Sequence, residues 1–381
     1  MKLKEVHVTK RKWWFPGILA LAAAALVAAA CAPAAAPTPA PTKAPAAAAA
    51  TPTAAPAKAA PAPATPTAAP APAKVRFASP GFLSDAGVFI AMDKGYFKEQ
   101  AIDMEWVTIK TASDAPPLLA RGDIEVAGGG SSAALYNAIT RGIDLKIVAD
   151  KGSCQKGFGY GILVVRKDLA DTIKTAADLK GKKIATNCRN CVSDYFISRI
   201  LKQGNLTPKD ADVVDIAAND IIVGLANKSL DAAYMNEPTA SRAAEQGFGS
   251  LLQACDVIEP GAQTAQIITT DAFLKNVDAA RRWMVAYVKG LRDYNDAFAK
   301  NKNRADIIPI LAKYTGEKDL TLYDKMIMAG LHPDGKVNPD SLINQQDFFI
   351  EIGGMKEKVD MKKVIDQQAV EYAAQKLGPY R

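Results

Sequence analysis

From Val75 to Thr269 short apolar, β-branched runs alternate with amphipathic stretches, and this pattern predicts the fold. Val75–Ser79, Met104–Ile109, Ile124–Ala127 and Leu145–Ala149 read as strands. Between them Ala86–Gln100, Ala115–Arg121 and Ala133–Arg141 carry apolar residues at helical spacing. A second block repeats the alternation. Ile162–Val165, Lys183–Ala185, Val213–Ile216, Ala232–Met235 and Leu251–Ala254 read as strands, with a helix at Val192–Gln203 that stops at Gly204. Ala265–Thr269 reads as a strand returning to the first block, and beyond Asp271 the pattern is almost wholly helical, Arg281–Phe298 most clearly. Strand–helix alternation predicts an α/β protein with mainly parallel sheets covered by helices. Two such blocks joined by two crossings predict two lobes, residues 75–166 with 264–381 and residues 167–263, followed by a helical C-terminal tail. Ligands sit beyond the C-terminal ends of parallel strands, so the expected site is a cleft between lobes that closes about a hinge.

The first seventy-odd residues follow another rule. Lys2, Lys4, Lys10, Arg11 and Lys12 stand against Glu5, and an apolar run from Trp13 to Ala30 follows. A basic start, an apolar run and the small residues Ala28–Ala30 read as a secretory signal over residues 1–30. Pro16 and Gly17 shorten the run's helical part to about a dozen residues, below the roughly 20 that span a bilayer. Small residues followed by Cys31 resemble the bacterial lipoprotein box, although Leu26 and Val27 lie further from the cysteine than the usual leucine. That resemblance implies lipidation of Cys31 and tethering at the extracytoplasmic face of the cell membrane. Residues 31–74 hold this cysteine and a tract of Ala, Pro and Thr that buries no core and acts as an extended linker.

Charge changes the picture once it is located. The chain carries 47 basic and 40 acidic residues, a net +7. The signal supplies +4, and Lys43, Lys58 and Lys74 the remainder, so the part from Val75 onward is near neutral. Nucleic acid is not an expected partner. Beyond Cys31 the cysteines are Cys154, Cys188, Cys191 and Cys255. In an exported chain they are candidates for disulfides, within the Cys188-Arg-Asn-Cys191 motif or from it to Cys154 or Cys255. Buried free thiols and a metal or redox role are the alternatives, although no second C-x-x-C completes a zinc set.

Four motifs in order carry a family resemblance. They are VFIAMDKGYF at Val88–Phe97, RGDIEVAGGGSS at Arg121–Ser132, DLKGKKI at Asp178–Ile184 and YMNEP at Tyr234–Pro238. They resemble the ABC-importer solute-binding proteins of the nitrate, taurine and sulfonate group and its thiamine-precursor branch, with a riboflavin binder among its members. The resemblance implies a two-lobed periplasmic-binding-protein fold of type II, a small-molecule ligand, permease and ATPase partners, and a monomer. Carried over by position, the ligand loops present Phe82 and Asp85, then Ser131 and Ser132, then Asn190, Ser193, Asp194 and Tyr195, and last Tyr234, Asn236 and Glu237. Tyr160 and Phe158 offer further aromatic faces. Three acids near one cleft, Asp85, Asp194 and Glu237, favour an N–H-rich ligand, so a planar nitrogen heteroaromatic such as riboflavin or a thiamine pyrimidine precursor is expected. An aliphatic sulfonate, taurine or nitrate is the alternative. One branch of the group, the yeast pyrimidine synthase, is catalytic and uses a histidine and a cysteine-rich motif. Here His332 is the histidine beyond the signal and does not match the cleft loops, so no enzyme, cofactor or metal is expected.

Overall fold

The computed structural model describes residues Pro70–Arg381; Cys31, the signal and most of the linker lie outside the described residues. In chain order the strands are β1 Ala73–Ser79, β2 Ile102–Thr108, β3 Val126–Gly129, β4 Leu145–Ser153, β5 Gly161–Arg166, β6 Lys183–Thr186, β7 Asp212–Asp215, β8 Ala232–Asn236, β9 Gly249–Ala254 and β10 Gln263–Thr270. They form two five-stranded sheets of order β2-β1-β3-β10-β4 and β7-β6-β8-β5-β9. The two orders are the same pattern, with a crossing strand in the fourth place of each.

The parallel expectation holds for β1 with β2 and β3, and for β6 with β7 and β8. It fails for β10 and β5, which run antiparallel to both neighbours. The reason is the crossing. A strand entering from the other lobe starts at the cleft, whereas the others end there, so it must run the opposite way. The expected lobe boundary after residue 166 is corrected by the same fact, because β5 pairs with β8 and β9 in the second sheet.

The helix Val192–Gln203 has the bounds read from the sequence. The expected helix over Ala86–Gln100 is instead two, Ala86–Asp93 and Tyr96–Glu99, because Gly95 turns left-handed at φ +75°. Helices at Ala218–Ala226 and Thr239–Glu245 were not read from the sequence. The long helix is Val277–Phe298, capped by Asn276, whose side chain accepts the Ala279 N–H. It lies against Ala86–Asp93 closely enough that a Cβ on Gly290 would strike the Gly87 carbonyl. Trp283, fully buried, stacks on Phe77 and Tyr287 and packs at a tilt against Phe97 in the first lobe's core.

The tail does more than extend the first lobe. Its helix Pro339–Glu351 sets Phe349 beside Tyr136 of the first lobe and Phe348 beside Tyr195 of the second. At the crossings, Cys154 is bonded to Cys255. The Cys154 N–H donates to Ala262 O at 2.8 Å, and Gly261 N–H donates to Cys154 O at 2.7 Å. No helix among the described residues is long and apolar enough to cross a membrane.

Candidate functional site

A cavity lies where the strand ends of the two sheets meet. The first lobe contributes Pro80, Phe82 and Ser84 after β1, Thr111 and Ala112 after β2, Gly129 and Gly130 at the end of β3, and Lys151 near the end of β4. Thr264 and Ala265, at the start of β10, complete that side. The second lobe contributes Tyr160, the loop Asn187–Ser193 in part, Phe196, Tyr234 and Asn236. The cavity measures about 50 Å³, room for roughly three waters.

The lobes meet over this cavity. Ala133 N–H donates to Asn190 O, and Val192 N–H donates to Ser131 O, both at 2.9 Å. Gly130 allows the approach: a Cβ there would stand 2.5 Å from Val192 Cγ1 and 2.9 Å from Thr264 O. Arg242 Nη2 donates to Glu317 Oε2 at 2.7 Å, tying the Thr239–Glu245 helix to the tail.

Of the residues named from the sequence, Phe82, Tyr160, Ser193, Tyr234 and Asn236 line the cavity. The other eight do not. Asp85 is fully buried behind Lys151, with Oδ1 3.0 Å from the ammonium. Its Oδ2 accepts from Ser79 Oγ and Phe82 N–H. Ser131 Oγ accepts from Tyr136 and Gln266. Ser132 caps the helix Ala133–Thr140 by accepting the Leu135 N–H. Asn190, left-handed at φ +55°, spends its carbonyl on Ala133 and its N–H on Asp194. Asp194 is buried against that N–H and Arg189, and burial pushes its pKa up to about 6. Tyr195 turns away, donating to Glu259 Oε2 at 2.6 Å. Glu237 accepts from Ser241 Oγ and N–H, and burial raises its pKa. Phe158 packs onto the first lobe's core.

The three acids therefore do not face the cavity, and the charge argument for an N–H-rich ligand loses its basis. Each carboxylate satisfies backbone or side-chain donors next to it, which sequence order does not reveal. The charged side chain in the lining is Lys151, held by Asp85 and by Ser84 Oγ at 2.9 Å. A lysine next to Asp150, just past the apolar Ile147–Ala149 of β4, was its available signal. Thr264 Oγ1 is buried at the cavity with no hydrogen-bond partner. Phe196 stacks on Tyr234 at 5.4 Å and forms an aromatic wall. Cys188 and Cys191 also line the cavity, and they are bonded to each other. The cysteine alternatives thus resolve into two disulfides. His332 lies outside the cavity lining, its N–H donating to Asp150 and its Nδ1 accepting from Asp334.

Two matched lobes, like strand orders and a cavity at their strand ends define a protein of the periplasmic-binding fold. The model of the family described as "NMT1/THI5 like" matches residues 84–298, and the chain belongs to that family. A protein of Brachyspira hyodysenteriae named as an ABC transporter periplasmic binding protein is 27% identical over 183 residues, 46% of this chain and 49% of its own. The chain thus spans about half the length of that curated relative. Among solved structures it is similar to the nitrate-binding protein NrtA of Synechocystis PCC 6803, with a TM-score of 0.69, 15% identity and coverage of 81% of this chain and 90% of that one. It is also similar to the alkanesulfonate-binding protein SsuA of Xanthomonas axonopodis pv. citri bound to MOPS, with a TM-score of 0.65, 18% identity and coverage of 78% and 100%.

Proposed function

We propose that this chain captures a small solute in the interlobe cavity and delivers it to the permease of an ABC importer, without chemistry on the solute. The carrying observation is the cavity itself, walled by strand ends of both sheets and bridged by hydrogen bonds between lobes. A site built from two lobes couples occupancy to closure, because the solute contacts both sides only when the cleft is shut.

The lining favours one class of solute. It offers the Lys151 ammonium, the hydroxyls of Ser84, Thr111, Ser193 and Thr264, and the amides of Asn187 and Asn236. No carboxylate is among the lining residues. A donor-rich lining suits a small solute rich in acceptor oxygens, so an aliphatic sulfonate, taurine or nitrate is the preferred ligand. The similar structures are named for solutes of that kind. A second reading, a planar nitrogen heteroaromatic such as riboflavin or a thiamine pyrimidine precursor, is favoured by the aromatic faces of Phe82, Tyr160, Phe196 and Tyr234. It requires a cleft opened well beyond about 50 Å³.

A melting screen separates them. A solute at about a hundred times its Kd adds about 2.7 kcal/mol and raises Tm by several degrees. A shift with an alkanesulfonate, taurine or nitrate supports the first reading, and a shift confined to riboflavin or pyrimidines supports the second. No shift with any of them counts against both. Tethering through Cys31 belongs to the same proposal: Cys31→Ser is expected to move the protein from the membrane fraction to the soluble one. A monomer is expected by sedimentation.

A further inference from the structure

The cavity wall contains a group that solute capture does not use, the disulfide between Cys188 and Cys191. The segment it closes is the one that touches the first lobe. Asn190 O receives the Ala133 N–H, Val192 N–H reaches Ser131 O, and Cys191 pairs as a β-bridge with Ser132. Ser113 of the first lobe sets its Oγ 3.4 Å from Cys191 Sγ and 3.8 Å from Cys188 Sγ. The clasp over the cavity is therefore shaped by this bond on one side and met by Ser113 on the other. The second disulfide differs: Cys154 and Cys255 are both fully buried and outside the cavity lining.

We propose that Cys188–Cys191 is a redox site addressed by small thiols that enter the cavity, and that its reduction loosens the clasp between the lobes. This rests on the reading that the cavity admits small solutes. Cys188, 8% exposed against 2% for Cys191, is the sulfur attacked. A thiolate RS⁻ bonds to Cys188 Sγ as the S–S bond breaks, and the electron pair leaves on Cys191 Sγ. Cys191 is the N-cap of the 12-residue helix Val192–Gln203, where the backbone N–H groups favour a thiolate, and the Ser113 hydroxyl can donate to it. A second RS⁻ attacks the mixed disulfide and releases RSSR. Two thiols are oxidised, the protein disulfide is reduced, and the protons of the two thiols end on Cys188 and Cys191. The loop Cys188–Cys191, no longer cross-linked, can then leave the geometry that holds Asn190 O and Val192 N–H against the first lobe.

The test uses the full chain, folded and without solute. 2-Mercaptoethanol, small enough for the cavity, is added under native conditions, freed thiols are trapped with iodoacetamide, and the sites are read by peptide mass spectrometry. Cys188 and Cys191 are expected to be labelled while Cys154 and Cys255 stay protected. Absence of labelling at Cys188 and Cys191, or equal labelling of all four, overturns the proposal. Hydrogen exchange reads the clasp: the Ala133 and Val192 amides are expected to exchange roughly tenfold faster after reduction, and to be fast with or without 2-mercaptoethanol in a Cys188→Ser/Cys191→Ser variant. Unchanged exchange in the reduced protein overturns the mechanical half. Both readouts proceed with no ligand, so a failure here is distinct from a melting screen in which no solute binds.

Discussion

Asp150 and Lys151 are neighbours on β4, both buried, and they serve opposite sides of the molecule. Asp150 faces the hinge. It accepts from Gln263 Nε2, from His332 N–H at 2.7 Å and from Gly152 N–H at 3.1 Å. Gln263 in turn accepts the Asn338 N–H, and Gln345 donates to the Gln263 carbonyl. With Cys154–Cys255 beside them, these bonds bind both crossings to the C-terminal tail. Lys151 faces the cleft, where Thr264 Oγ1 lacks a partner, the walls meet only through a few hydrogen bonds, and a cross-link spans just three positions of sequence. The hinge side is the more densely bonded of the two, although the buried Gln345 Oε1 within it also lacks a partner, and a dense polar network holds one arrangement.

The sharpest way to break that contrast is to remove each cross-link. Cys154→Ser/Cys255→Ser opens a loop of 101 residues and is expected to lower the unfolding free energy by about 4 kcal/mol. Cys188→Ser/Cys191→Ser opens a loop of three and is expected to lower it by about 2 kcal/mol or less. Urea titrations without reductant compare them, and equal losses end the distinction. Next comes the buried pair. Lys151→Met strands the Asp85 charge and is expected to cost about 3 kcal/mol, with Asp85→Asn in the same chain recovering part of it. Full additivity in that double-mutant cycle means the pair does not act as one. A smaller effect follows at Gly130→Ala, whose methyl meets Val192 and Thr264 O. About 2 kcal/mol of strain in the closed cleft is expected, read as faster hydrogen exchange at Ala133 with unchanged exchange in β1.

The smallest effect is pH dependence at the hinge. Burial raises the Asp150 carboxyl to about 7, far above its unfolded value. The folded protein then binds the proton more tightly than the unfolded chain, so the contribution is full at low pH and is lost as pH rises through about 7. Stability is expected to fall by about 1 kcal/mol between about pH 6 and pH 8, and Asp150→Asn removes that slope. His332, whose pKa burial lowers, contributes with the opposite sign and is common to both proteins. Parallel curves for the two proteins would show that Asp150 does not titrate there.

Much of the fold was legible because its signals are local. The Val192–Gln203 helix was bounded correctly because an apolar stripe ends at Gly204, and the strands were found because their buried faces demand apolar residues. The reversed directions of β5 and β10 were not legible, since a strand's sequence is the same whichever way its neighbours run. Phe82, Tyr160, Ser193, Tyr234 and Asn236, read from the sequence, do line the cavity, because they lie at or beside the strand ends and helix starts that border it. Lys151 was missed because a lysine in a buried strand becomes intelligible only once Asp85 is seen beside it, 66 positions earlier in the chain.

The sequence alone determined most of the elements, the two-block alternation and the cysteine inventory, because periodicity and residue type act over one or two turns of chain. Which cysteines join, which acids are spent inside the protein and which polar atoms face the cavity were decided by the tertiary structure. Those outcomes depend on groups far apart in sequence competing for the same few buried partners, and only the packed lobes settle that competition.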